Sequence, residues 1–221
     1  MRANIFNKKF RYSYSNVCLI ILVINIFVLI LTDYMYVVID GIPLSRYLGL
    51  NVWGLKRGYI WQVFTYMFVH SGYLHLFFNM FGIFNFGYLL EKNLGSKEFL
   101  LFYFTCGILS GLTSLGIYYV TGLNVNLVGA SGAVYALLFL CSVLYPYDRI
   151  LLFLIIPLQI PLAVLLFLLI ELVSTFLVYS NSNVAHLAHL SGIIFAYLYC
   201  LIRFNISPYK VYKSALGRRR Y

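Results

Sequence analysis

Charge is what this sequence has least of. Asp, Glu, Lys and Arg make up 10% of its 221 residues, where a soluble domain carries about 25%. Acids are the scarcer sign, with 6 Asp and Glu against 16 Lys and Arg. Hydrophobic residues fill 62% of the chain and the mean hydropathy is +0.88, which excludes a disordered chain and an ordinary aqueous enzyme. The four cysteines (Cys18, Cys106, Cys141 and Cys200) form no Cys-x-x-Cys pair and no metal-type Cys/His spacing. Each lies in an apolar run and reads as a buried thiol, so a disulfide scaffold is excluded. There is no low-complexity segment and no internal repeat, and with no inverted repeat a transporter is disfavoured. What remains is an all-α polytopic membrane protein.

A span needs about 20 apolar residues to cross a hydrocarbon core of about 30 Å. Six stretches qualify as candidates: 17–38, 74–90, 99–120, 129–145, 150–179 and 186–203. The fifth contains Pro157 and Pro161, so it is expected to kink or to begin irregularly there. The net charge of +10 would suggest nucleic acid in a soluble protein. Here the excess follows the span ends, and no nucleic-acid partner is expected. Arg2, Lys8, Lys9 and Arg11 precede the first span, and Arg203, Lys210, Lys213 and Arg218 to Arg220 follow the sixth. With Lys92, Lys97 and Arg149, one side of the membrane receives 13 of the 16 basic residues. Both ends are therefore expected in the cytoplasm, which an even number of spans allows. The organisation expected is a basic tail over 1–16, a six-span domain over 17–203 and a second basic tail over 204–221. The loop 39–73 is apolar, carries Trp53 and Trp61 and is broken by glycines, so it is expected to lie partly in the outer leaflet.

Polar side chains inside hydrocarbon are costly, and each is a functional candidate. They cluster in three spans. His70, His75 and Asn79 belong to the second, with His75 and Asn79 on one helix face. The fourth opens Gly129-Ala130-Ser131-Gly132 and carries Tyr135 on the Ser131 face. The sixth reads Ala185-His186-Leu187-Ala188-His189-Leu190-Ser191-Gly192. One serine between glycines, histidines on a second helix and a His/Asn pair on a third supply a nucleophile, a base and hydrogen-bond donors. No carboxylate is obviously placed to orient a histidine. Glu171, the one acid well inside the fifth span, reads as an inward-facing hydrogen-bonded or protonated group. The economical arrangement is a Ser–His dyad. His186 and His189 lie on nearly one face, and depth favours His189 as the base and a water-interface position for His186.

These residues resemble the rhomboid intramembrane serine proteases. The family's Gly-x-Ser-Gly is matched by Gly129 to Gly132, and its Ala-His-x-x-Gly by Ala188 to Gly192. Its second-span histidines and asparagine are matched by His70, His75 and Asn79, and its following loop by Glu91-Lys92-Asn93-Leu94-Gly95-Ser96. The likeness covers roughly residues 55–205. Two positions depart from the pattern: Trp61-Gln62 stands for the usual Trp-Arg, and Ala196 for a glycine. The resemblance implies a six-transmembrane-helix bundle that cleaves peptide bonds in or near membrane helices, with single-span membrane proteins as substrates and the lipid bilayer as surroundings. Ser131 would be the nucleophile and His189 the base, with His75 and Asn79 at the oxyanion. Tyr135 would pack on His189, and Gly129, Gly132 and Gly192 would allow close approach. No metal or cofactor is implied. A membrane of prokaryotic type is expected. The alternative is a catalytically inactive relative that binds membrane helices, though this chain keeps both serine and histidine. The resemblance also implies that the fifth span and the loop 180–184 move to admit substrate. From Ser131 to Tyr145 is about 22 Å of helix, short of the hydrocarbon core, so 121–130 is expected to enter the membrane as non-helical backbone beside a wet cavity.

Overall fold

The computed structural model describes residues 10–152, 155–177 and 183–217. The basic residues Arg2, Lys8, Lys9 and Arg218 to Arg220, and the segment 180–182 expected to move, lie outside the described residues. Helix α1 (Val17–Leu29) runs on through a π turn to Tyr34, four residues short of the expected end. A two-residue hairpin (β1, Val38–Ile39; β2, Ile42–Pro43) and short helices α2 (Leu44–Leu48), α3 (Val52–Lys56) and α4 (Gln62–Thr65) follow. Helix α5 (Tyr73–Gly82) continues through a π turn into α6 (Tyr88–Leu94), and α7 spans Ser96–Thr121. Then come α8 (Ser131–Leu144), the hairpin β3 (Arg149–Leu152) and β4 (Ile156–Gln159), α9 (Ile160–Leu177), α10 (Asn183–Ile202) and α11 (Pro208–Gly217).

Three helical segments, Val17–Tyr34, Tyr73–Leu94 and Ser96–Thr121, are long and apolar enough to cross a bilayer, and three shorter apolar ones join them within α8, α9 and α10. The bundle is inverted relative to a soluble protein. Leu74, Phe77 and Phe78 on α5 and Leu169 and Ile170 on α9 are exposed, which water would penalise and lipid tails do not.

The fifth span differs most from expectation. It begins as helix only at Ile160, and Arg149–Leu152 pairs antiparallel with Ile156–Gln159, Leu151 opposite Pro157. Proline has no N–H to give a helix interior, so Pro157 suits a strand and Pro161 the first helical turn. Of the 121–130 stretch expected to be non-helical, Thr121 still belongs to α7, and 123–130 is non-helical. Gly122 ends α7 in the left-handed region at φ 71°, the usual geometry of a helix stop. The loop 39–73 is ordered rather than simply exposed. Gln62 is fully buried, donates to the carbonyls of Arg46 and Tyr47 at 3.1 and 3.2 Å, and accepts from the Asn51 N–H at 3.2 Å. At this departure from the rhomboid pattern an amide thus holds the loop together.

Helix α8 is the axis of the molecule. Gly132, Ala133 and every residue from Ala136 to Val143 are buried. Two buried carboxylates fasten the helices around it. Glu91 accepts from the N–H groups of Val17 and Cys18 at 2.8 and 2.9 Å and from the Ser96 hydroxyl at 2.6 Å. It therefore neutralises the positive end of α1 and ties it to the second span. Glu98 receives Arg203 through two bonds, at 2.9 and 2.8 Å, and the Tyr199 hydroxyl at 2.7 Å. That joins the start of α7 to the end of α10. Below α8, Tyr212 of α11 shares a hydrogen bond with Ser142, so part of the expected tail docks on the bundle.

Hydrogen bonds to charged groups contribute about 1.5–3 kcal/mol, and stranded donors cost more. Glu91→Ala is expected to destabilise the purified protein by at least about 2 kcal/mol, read as a lowered unfolding midpoint in detergent. Lys92→Ala, which changes an exposed neighbour, is expected to leave the midpoint unchanged.

Candidate functional site

Ser131 is the first residue of α8, so its N–H is among those with no acceptor inside the helix. The loop before it is strapped to the 39–73 segment. Leu50 and Leu127 exchange backbone hydrogen bonds at 2.9 and 2.8 Å, and the Gly129 N–H donates to the Tyr66 carbonyl at 2.9 Å. Gly129 has φ +113°, and a Cβ there would lie 2.7 Å from Cε1 and Nε2 of His75. Only glycine lets the imidazole rest on this turn.

The His75 ring has a definable tautomer. Its Nδ1 lies 3.4 Å from the Ser71 N–H and 3.0 Å from the Ser71 hydroxyl. An N–H can only donate, so Nδ1 accepts and the ring proton sits on Nε2, the nitrogen over Gly129. A donor therefore faces the turn leading into Ser131. Asn79 is buried one turn on and donates one amide hydrogen to the His75 carbonyl at 2.8 Å. His70 packs against His75 with ring centroids 5.0 Å apart. It precedes α5, and burial lowers its pKa to about 3, so its ring is neutral at pH 7.

On the other side, α8 and α10 touch through their backbones. A Cβ on Gly192 would collide with the Gly132 carbonyl, and one on Gly132 with the Ser110 hydroxyl. Ser110 donates to the Ala188 carbonyl at 2.6 Å, closing α7 onto the same point. This contact sets His189, one turn ahead of Gly192, beside the first turns of α8. There the Tyr135 ring stacks on the imidazole, with centroids 4.3 Å apart and planes at 8°. Ala196, the second departure from the rhomboid pattern, is fully buried.

A carboxylate does meet the histidines, which corrects the reading of the sequence. Glu171 of α9, 5% exposed, hydrogen-bonds His189 Nδ1 through Oε1 at 2.9 Å. The same oxygen accepts from the Tyr135 hydroxyl, and Oε2 meets His186 Nδ1. Glu171 is thus inward-facing and hydrogen-bonded, as its position in an apolar span required. Its partner was hidden because it sits on another helix, 18 residues along the chain. His186 shares that carboxylate rather than standing alone. Ser71 and Ser110 were likewise missed, since no spacing rule links a loop hydroxyl to an imidazole or a serine to a carbonyl on another helix. Among the described residues no hydrogen bond joins Ser131 to His189. Both side chains are partly exposed.

A family model described as Rhomboid domain matches residues 57–206. A putative rhomboid protease YdcA of Bacillus subtilis (strain 168) is 39% identical over 89 residues, 40% of this chain and 43% of that relative. A rhomboid-like protease 1 of Toxoplasma gondii is 31% identical over 84 residues, 38% of this chain and 28% of that protein. The chain therefore spans less than half the length of either relative.

The Gly129 geometry gives a contrast between two glycines. Gly129→Ala is expected to cost about 1–2 kcal/mol from its positive φ alone, with the His75 collision added. Gly116→Ala, in mid-helix with nothing within 4 Å of the new methyl, is expected to stabilise by about 0.5–1 kcal/mol. Unfolding midpoints of the two variants in one detergent provide the comparison.

Proposed function

Because this chain belongs to the rhomboid family, we propose that it is an intramembrane serine endopeptidase cutting peptide bonds in or near the membrane helices of other proteins. The observation that carries this reading is the Gly132–Gly192 backbone contact. It supports the reading by bringing α10, with the Tyr135–His189 stack, against the start of α8, where Gly129 lies under His75. His189 takes the Ser131 proton at Nε2, and Ser131 Oγ attacks the scissile carbonyl. The proton then passes to the leaving amine, and water admitted to the site hydrolyses the acyl-enzyme. The oxyanion is held by the Ser131 N–H, by His75 Nε2–H and by the Asn79 amide hydrogen left free of the His75 carbonyl. Each such donor is worth about a hundred- to a thousandfold in rate.

Glu171 adds to the Ser–His dyad. By accepting from Nδ1–H it holds His189 in the tautomer whose Nε2 is a free base, and it stabilises the imidazolium formed during attack. Tyr135 fixes the ring plane from the other face. Substrates are membrane proteins whose helices reach the site from the lipid. Helix α9, exposed along Leu165, Leu169 and Leu172, is the wall they would pass. Both termini are cytoplasmic, by the distribution of basic residues, in a membrane of prokaryotic type.

Cleavage of a labelled single-span substrate in liposomes tests this reading. Ser131→Ala and His189→Ala are each expected to abolish the cut, and Ser131→Ala to leave stability within about 1 kcal/mol of the parent's. His186→Ala should retain at least a tenth of the rate, a barrier change of no more than about 1.4 kcal/mol. Persistent cleavage by pure Ser131→Ala protein refutes the serine mechanism. In the same assay Glu171→Gln is expected to lower kcat by between about tenfold and a thousandfold, with KM nearly unchanged. An unchanged kcat would leave the dyad without its carboxylate.

A further inference from the structure

Glu171, His186 and His189 offer more than a hydrogen-bond triangle. One carboxylate oxygen and two imidazole nitrogens lie within 4.8 Å of one another. Two imidazoles and a carboxylate, with a further position left for water, are a donor set that suits Zn²⁺. The histidines are three residues apart and face α9 from one side of α10, and both present Nδ1 to the same carboxylate. The carboxylate is itself oriented by the Tyr135 hydroxyl, as the supporting partners of metal ligands usually are. The side chains are 20%, 15% and 6% exposed for His186, His189 and Glu171, so an ion can enter past His186.

We propose that Glu171, His186 and His189 bind a divalent transition-metal ion of the Zn²⁺ or Co²⁺ type, and that the bound ion silences His189 as a base. The chemistry follows from the nitrogen used. A ring bound to metal through Nδ1 carries its one proton on Nε2. The move leaves no lone pair on Nε2 to take the Ser131 proton, and the ion's charge further lowers the basicity of the ring. Mg²⁺ and Ca²⁺, which prefer oxygen ligands, should not substitute. Chain spacing alone hides this set, because the third ligand comes from a neighbouring helix. The silencing rests on the proteolytic reading above; the binding does not.

The test uses the full-length protein in detergent, with any polyhistidine tag removed. Titration with Co²⁺ is expected to give visible d–d absorption that saturates at one ion per chain, equally in the parent protein and in Ser131→Ala. Zn²⁺ should erase the bands, and Mg²⁺ should not. Affinity should fall at least about tenfold in His186→Ala and in Glu171→Gln. Absence of a saturable band in the parent, or equal affinity in His186→Ala, overturns the site. In the cleavage assay Zn²⁺ should slow the parent enzyme, and a chelator should restore it. His186→Ala, compared with its own metal-free rate, should need at least about tenfold more Zn²⁺. Undiminished cleavage at Zn²⁺ levels that saturate the Co²⁺-competing site overturns the silencing. A protein that takes up Co²⁺ as described yet cuts nothing without metal would refute the protease reading, and the silencing with it, while supporting the metal site.

Discussion

The approach of α8 to α10 at Gly132 and Gly192 is the contact on which the rest of the site depends. With no side chain between them, a carbonyl of one helix lies where any Cβ of the other would go. Between membrane helices there is no hydrophobic force of the aqueous kind, so close packing and hydrogen bonds must supply the association. The Ser110 hydroxyl adds the hydrogen bond, reaching the Ala188 carbonyl from α7. Three helices are thereby fixed within backbone distance. Tyr135 and His189, each a short step from the contact, are left with little choice but to stack.

Scarcity of acid sharpens the second constraint. The sequence contains three glutamates, and all three are buried, at 0, 3 and 5% exposure for Glu91, Glu98 and Glu171. Each accepts two or more hydrogen bonds from outside its own helix. Glu91 closes the start of α1 on the second span, Glu98 joins α7 to the end of α10, and Glu171 joins α8, α9 and α10. A buried carboxylate without partners would be costly, so each position demands an assembled bundle around it. The first two serve architecture. The third stands where the proposed chemistry is, on a helix whose Leu165, Leu169 and Leu172 are exposed, so one side chain belongs both to the proposed site and to the wall of the bundle.

Much of this could be read along the chain. Hydropathy and charge asymmetry located the apolar helices to within a few residues, because the bilayer imposes length and composition on each segment separately. The exception was the fifth, where Arg149–Leu152 and Ile156–Gln159 pair as strands and the helix starts only at Ile160. The motif residues were read the same way: Gly129, Ser131 and Tyr135, and His189 and Gly192, stand at short local spacings. Partners drawn from other helices were not. Nothing about residue 171 announces residues 135, 186 and 189, and nothing about Ser71 announces the His75 tautomer.

By itself the sequence determined that the chain is a bundle of membrane helices, which segments compose it, and which serine, histidines and glycines carry its pattern, since these follow from local composition and spacing. The tertiary structure alone decided that Glu171 faces two histidines and a tyrosine, that Gln62 rather than an arginine ties the 39–73 loop, and that Glu91 caps a helix more than seventy residues away. Those outcomes depend on which helix faces come into register once the bundle closes. A rule confined to neighbours along the chain contains no term for that registry.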